Sequence, residues 1–393
     1  MLKRLVLGCN LLALAACAIP QPGPFYQGVT AARAHPGEIL RSRITTASPS
    51  DATAYRVIYA STGVSGRIVP VSAVIYLPRS PPPPGGRDII AWAHPTTGVA
   101  AGCAPSLGDI TAGGRDLGGT IPGLHRFLHA GDIVTATDYE GLGVAGIHPY
   151  LIGRAEADDI IDSVRAARAL PGADASRAYG VWGHSQGGQA ALFVGQEAAS
   201  YAPALHLVGV AAAAPPTNLG PELTAPHSSR LLTAYVYVTW SHLYHIPLTS
   251  VIAPQAVAAL ERTATTCINS IGQYIVASRT AASVPRTYIA HNPLTTPPWT
   301  VLFHENSAGF APASAPLLIT QGTADTTVYP KYTDSFVRRA CKLGDTVDYI
   351  KLKGVTHIFT GYRSAKLVAA WFAQRFAGSP PPTTCPNRVE IKG

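Results

Sequence analysis

The chain has 393 residues, 47% of them hydrophobic and 13% charged, with a formal charge of +8 and a pI near 9.2. That balance excludes a disordered chain, and the length can bury a large core, as one α/β domain with an insertion or as two domains. The basic residues are scattered, with no long run and no interleaved aromatic pattern, so no nucleic-acid partner is expected.

Met1 to Ala18 reads as a targeting segment: Lys3 and Arg4 precede an apolar stretch, Leu5 to Ala16, too short to span a bilayer. Leu14-Ala15-Ala16-Cys17 resembles the lipobox of bacterial lipoproteins, which implies export with anchoring through a lipidated Cys17. Ordinary signal cleavage near Ala16-Cys17-Ala18, giving a released protein, is the alternative. Tyr55 to Ala60 and Arg67 to Leu77 read as an antiparallel hairpin. Asp88 to Ala93 is a buried-type strand that runs into His94-Pro95-Thr96-Thr97-Gly98, and Ile133 to Thr137 runs into Asp138-Tyr139-Glu140-Gly141. Ala155 to Leu170 has the period of an amphipathic helix, with acids near its start where they suit the dipole. Tyr179 to Trp182 and Leu205 to Ala214 are further buried strands. They are followed late in the chain by Leu317 to Gln321, a helix over Lys331 to Arg339, the strand Val347 to Leu352 and a helix over Ala365 to Phe376.

Strands alternating with helices predict an α/β fold with a mostly parallel central sheet flanked by helices. From 215 to 300 the alternation stops. Helical patches replace it, one of them (Arg230 to Tyr244) apolar nearly all round; such a helix buries both sides or covers something greasy, so a helical cap or lid over an acyl pocket is expected, with a plain helical subdomain as the alternative. The expected organisation is a signal peptide over 1–17, a tether and extension over 18–54, a core over 55–214, the cap over 215–300 and the rest of the core over 301–393.

Val181-Trp182-Gly183-His184-Ser185-Gln186-Gly187-Gly188 carries the chemistry. A strand, then G-x-S-x-G, then an Ala-rich helical run is the pattern of a nucleophile elbow, in which a strained turn lifts the serine hydroxyl clear of the sheet. The Gln186 N–H then points at the oxygen of the group attacked. A serine needs a base oriented by a third group, and elbow enzymes order them Ser, Asp or Glu, His. Asp325, just past a strand, and His357, in the turn before the last helix, fit that order. Asp345 and Asp348 sit before or inside a strand, and His291 and His304 precede the Asp strand, so they fit less well. The second oxyanion donor is expected from the His94 loop, as the backbone N–H of Thr96 or Thr97. No cofactor is required.

With Cys9 and Cys17 set aside, Cys103, Cys267, Cys341 and Cys385 suit two disulfides, and the absence of a C-x-x-C pair predicts no metal centre. Three pairings are open. Cys103–Cys267 with Cys341–Cys385 is preferred, because the second bond would pin a Pro-rich tail to the last helical region.

Cys103 to Ser106, Asp138 to Gly141, Gly183 to Gly188, Glu305-Asn306-Ser307, Gly322 to Asp325 and Gly354 to His357 together resemble the secretory lipase family of the α/β-hydrolase superfamily. The resemblance runs from about Tyr55 onward. It implies Ser185, Asp325 and His357 as a triad, the insertion as a lid, the two preferred disulfides, and hydrolysis of small-molecule esters or lipids, acylglycerols included. One departure bears on acyl preference and pH behaviour: Thr97 stands where family members carry an acidic residue. Transfer of the acyl group to an alcohol, peptide cleavage, or an inert lipid-binding scaffold are the rival expectations. A monomer is expected.

Overall fold

A computed structural model describes residues 19–45, 48–108, 120–385 and 390–392. The expected targeting segment and Cys17 lie outside them. Among the described residues one ten-stranded sheet organises the fold: β1 (Ile39–Ile44), β2 (Ala52–Thr62), β3 (Ile68–Pro78), β4 (Arg87–Ala93), β5 (Ile133–Thr137), β6 (Ala175–His184), β7 (His206–Ala213), β8 (Leu317–Gly322), β9 (Val347–Leu352) and β10 (Glu390–Lys392). The spatial order is β1-β2-β3-β5-β4-β6-β7-β8-β9-β10. From β5 to β10 the neighbours are parallel, whereas β1, β2 and β3 pair antiparallel.

Crossover helices cover both faces, because parallel neighbours can be joined only by a long return. On one face α1 (Leu124–Ala130) and a late C-terminal helix (His357–Phe376) bury Phe127, Leu128, Val368, Trp371 and Phe372 against Trp92 and Trp182. On the other, α2 (Gly153–Ala169) and α3 (Gln186–Tyr201) pack Ile160, Ile161, Val164 and Val194 into the main core. This is the α/β-hydrolase architecture.

Between β7 and β8 the chain leaves the sheet as α4 (Leu219–Thr224), α5 (Arg230–Tyr244), α6 (Pro254–Ala264), α7 (Ile271–Ala282) and α8 (Trp299–Glu305). These helices share an apolar cluster in which Tyr237 meets Trp299 and Trp240 meets Phe303 at ring separations of 5.1 and 5.2 Å. The sequence's greasy helix is thus buried on nearly every side. Contacts that tie the excursion to the core include Cys103–Cys267, the Ile268 N–H on Thr97 O (2.8 Å), Asn269 Nδ2–H on Cys103 O (3.0 Å) and Trp240 Nε1–H on Tyr150 O (2.8 Å). A second disulfide joins Cys341, on α9 (Pro330–Leu343), to Cys385. Among the described residues no helix is long and apolar enough to cross a membrane.

Four local expectations are corrected. The stretch taken as tether and extension holds strand β1, an edge strand whose sequence, with three consecutive polar residues and no apolar–polar alternation, hid it. A strand follows the one read as last, since β10 adds parallel to β9. His357 is not in a turn but opens the C-terminal helix, α10 (His357–Phe376). Finally, the acids of α2 do not face solvent near its dipole: Glu156, Asp158, Asp159 and Asp162 are buried.

Candidate active site

β6 ends at His184, and the next residue turns the chain straight into α3. Ser185 takes φ 55° and ψ −121°, a region disfavoured for any residue with a side chain. The turn is held by the Ser185 N–H on Ala213 O (2.9 Å). It is possible only with glycine on both flanks, since a Cβ on Gly183 would strike the Gly187 carbonyl and one on Gly187 the Ala93 carbonyl.

The late strands deliver the other two side chains to the same rim. His357 Nε2 lies 2.8 Å from Ser185 Oγ, and His357 Nδ1 lies 2.8 Å from Asp325 Oδ2. With the Nδ1 proton donated to the carboxylate, Nε2 is left to accept from the serine hydroxyl. Asp325 is buried after β8. It accepts from Gln321 Nε2 on Oδ2 (3.0 Å) and from the Thr327 and Val328 N–H groups on Oδ1 (2.9 Å each). Burial pushes this carboxyl up, but the hydrogen bonds and charge of His357 and the two backbone donors outweigh it and hold the pKa below the ordinary value. The His184 ring lies beside that of His357, tilted by 37° with centroids 5.2 Å apart, and bonds its carbonyl through Nε2 (3.0 Å). Burial, then the neighbouring imidazole, pushes His184 down to about 3, so it stays neutral and donates.

Gln186 is the first residue of α3, where the N–H has no intrahelical acceptor. Its side chain turns away from the rim, donating to Glu156 Oε1 (2.7 Å) and His148 Nε2 (2.9 Å). Sequence reasoning missed Glu156 and His148, which lie 30 and 38 positions from Gln186 with no motif to mark them. Of the two loop threonines, Thr96 lines the cavity in front of Ser185 and shares a hydrogen bond with Tyr150 (2.8 Å). Thr97 is fully buried, its carbonyl taken by Ile268.

Two cavities meet at Ser185. The larger, about 250 Å³, is walled by Leu231, Leu232, Ile268, Tyr274, Ile358 and Tyr362. The smaller, about 100 Å³, is more polar, with Glu222, His227, Ser228 and Thr326 among its walls. The Asp138 motif lies behind them: its carboxylate accepts from Ser72 Oγ (2.6 Å) and from the N–H (2.9 Å) and hydroxyl of Ser106, tying β5 to the Cys103 turn. The Glu305 motif has a similar role, with Asn306 Oδ1 accepting from the Gly153 N–H (3.0 Å) and Asn306 O from Gln189 Nε2 (2.9 Å).

The secretory lipase family model matches residues 121–384, about two thirds of the chain. The chain belongs to the secretory lipase family. That membership places it among the ester hydrolases and, with its two disulfides, among exported proteins. Among similar proteins is a "probable inactive lipase" of Mycobacterium tuberculosis, 24% identical over 388 residues, covering 92% of this chain and 83% of the relative. Lipase A of Arthroderma benhamiae is 28% identical over 208 residues, covering 49% of this chain and 44% of the relative. Among solved structures, Candida antarctica lipase A in its closed state superposes with a TM-score of 0.74 at 19% identity, covering 96% of this chain and 91% of the other. The rice cell wall degrading esterase LipA from Xanthomonas oryzae gives 0.71 at 20% identity, covering 88% and 100%. At those identities the superpositions speak for the fold alone.

Proposed function

We propose that this secretory lipase family member hydrolyses carboxylic esters of lipid-like acids through an acyl-enzyme on Ser185. His357 takes the serine proton as Oγ attacks the ester carbonyl, then gives it to the departing alcohol. Asp325 holds the imidazole in the competent tautomer and balances its transient charge. The Gln186 N–H and the Thr96 N–H hold the oxyanion, each typically worth about 3 kcal/mol of transition-state stabilisation. Water then releases the acid. No cofactor enters.

The observation that carries this reading is the unbroken 2.8 Å and 2.8 Å chain from Ser185 through His357 to Asp325. The relative named inactive raises a second possibility, an inert lipid-binding scaffold, but binding alone needs neither that chain nor a strained serine. The apolar arm suits the acyl chain and the polar arm the alcohol. The apolar lining suits a greasy substrate: Leu231, Leu232, Ile268 and Tyr274 come from the 215–300 excursion, which thereby acts as a cap, and Ile358 and Tyr362 face them from α10. The protein acts as an exported monomer, anchored through Cys17.

A fluorophosphonate probe combined with a panel of p-nitrophenyl esters of increasing chain length tests the proposal. Labelling of Ser185 and turnover that rises beyond acetate are expected. An unlabelled, inactive protein would leave the inert scaffold standing.

A further inference from the structure

We propose that Asp51, His125 and His129 form a zinc site at the end of the sheet opposite the Ser185 rim. His125 and His129 are one helical turn apart on α1, so both imidazoles leave the same face. Asp51 comes from the chain entering β2, 74 positions before His125. His125 Nδ1 lies 2.7 Å and His129 Nε2 3.3 Å from Asp51 Oδ2, and the three ligand atoms all fall within 4.8 Å of one another. A tetrahedral zinc with bonds of 2.0–2.1 Å needs neighbouring ligand atoms about 3.3 Å apart. One of the three separations already matches, a second must open by about half an ångström, and the third, between the two imidazole nitrogens, lies within 4.8 Å and adjusts by swinging the rings. That movement is cheap because the two imidazoles are 65% and 72% exposed and free to swing.

The donor set selects the metal. Two imidazoles and one carboxylate suit zinc over magnesium or calcium, which want oxygen alone, and leave a fourth vertex for water. Asp51 adds a second sign. Its Oδ1 is buried without a hydrogen-bond partner among the described residues, which leaves the carboxylate incompletely satisfied, with Oδ2 facing the two rings. A cation there neutralises a carboxylate whose side-chain partners among the described residues are two exposed imidazoles.

Strand register gives the location. Ala52 pairs with Pro78, and Tyr76 with Val134, so Asp51 sits near the amino end of β5. Ser185 stands past the carboxyl end of the parallel strands. The metal therefore takes no part in the chemistry at Ser185; it clips α1, whose Phe127 and Leu128 are core residues, to the start of the β2–β3 hairpin. Cysteine spacing does not mark this site; its signal is a His-x-x-x-His pair, His125 and His129, completed by a distant aspartate.

The test is isothermal titration of zinc chloride into untagged, metal-stripped full-length protein, with thermal unfolding in parallel. One zinc per chain at micromolar affinity or tighter is expected, with Tm raised by several degrees at saturation. Cobalt in place of zinc should give the visible absorption of a four-coordinate centre. His125→Ala, His129→Ala and Asp51→Asn should each weaken binding at least about 100-fold and abolish the Tm rise, while ester hydrolysis without zinc stays at the wild-type rate. Absence of saturable binding up to millimolar zinc would overturn the site. So would binding that survives all three substitutions, which would belong to other histidines. A Tm loss in Asp51→Asn that is the same with and without zinc would reduce the cluster to hydrogen bonds.

Discussion

Asp325 and Glu156 are two carboxyls removed from bulk water on opposite sides of the elbow, and burial pushes both toward the neutral form. Only one of them yields. Asp325 receives four donors spread over both oxygens, one of them an imidazole that can become a cation. Glu156 receives two neutral donors, Leu151 N–H (2.9 Å) and Gln186 Nε2–H (2.7 Å), both on Oε1, while Oε2 has no hydrogen-bond partner among the described residues. Asp325 accordingly sits below its usual pKa, whereas burial carries Glu156 up to about 8 against those two bonds. The charge is kept where a proton must move and given up where a side chain need only hold position.

Removing the nucleophile should break the comparison on the reactive side most severely. Ser185→Ala should cost roughly 10⁵- to 10⁶-fold in kcat on a short p-nitrophenyl ester, with circular dichroism unchanged. Asp325→Asn should follow at about 10⁴-fold, because an amide in that place favours the wrong imidazole tautomer while leaving the packing intact. A loss below about tenfold in steady-state kinetics would mean that His357 is oriented by something other than this carboxylate.

Stability separates the regions next. Cys103–Cys267 spans 164 positions and fixes the excursion to the loop that carries Thr96. Replacing both cysteines by serine should lower the unfolding free energy by roughly 2–5 kcal/mol in urea titrations, and should lower kcat/KM as the oxyanion loop loosens. A stability loss with untouched turnover would separate the clip from the site.

How much of this could be read from the chain follows the range of the signals. Gly183, Ser185 and Gly187 announce the elbow because steric demand is local: three positions and a strand–helix flank suffice. Asp325 and His357 were legible only through chain order, since each follows a strand whose apolar run is easily seen. Strands β1 and β10 were not legible. One is a polar edge and the other has three residues, so neither leaves a period to detect. The acids of α2 were misread because a helix with charges near its start looks the same whether they meet water or Tyr201, Thr62 and Gln186. Asp162 in fact accepts from Tyr201 OH (2.7 Å) and the Thr62 N–H (3.2 Å), contacts set by folding across the sheet.

Glu156→Gln is the mildest change and tests the quiet side of the comparison. Glutamine can still accept from Leu151 and Gln186, and at neutral pH it replaces a group already uncharged, so turnover should stay within about threefold of wild type. The difference should emerge with pH. A carboxyl raised from 4.5 to about 8 on folding binds its proton more tightly in the folded state. Its stabilising contribution is therefore complete below pH 4.5, declines as pH rises through that window, and is gone above about 8. The limiting slope for one such group is about 1.4 kcal/mol per pH unit. Urea unfolding followed between these limits should show the glutamine variant losing less stability with rising pH than wild type. Parallel curves would mean that Glu156 is ionised in the folded protein and that the two carboxyls share one fate after all.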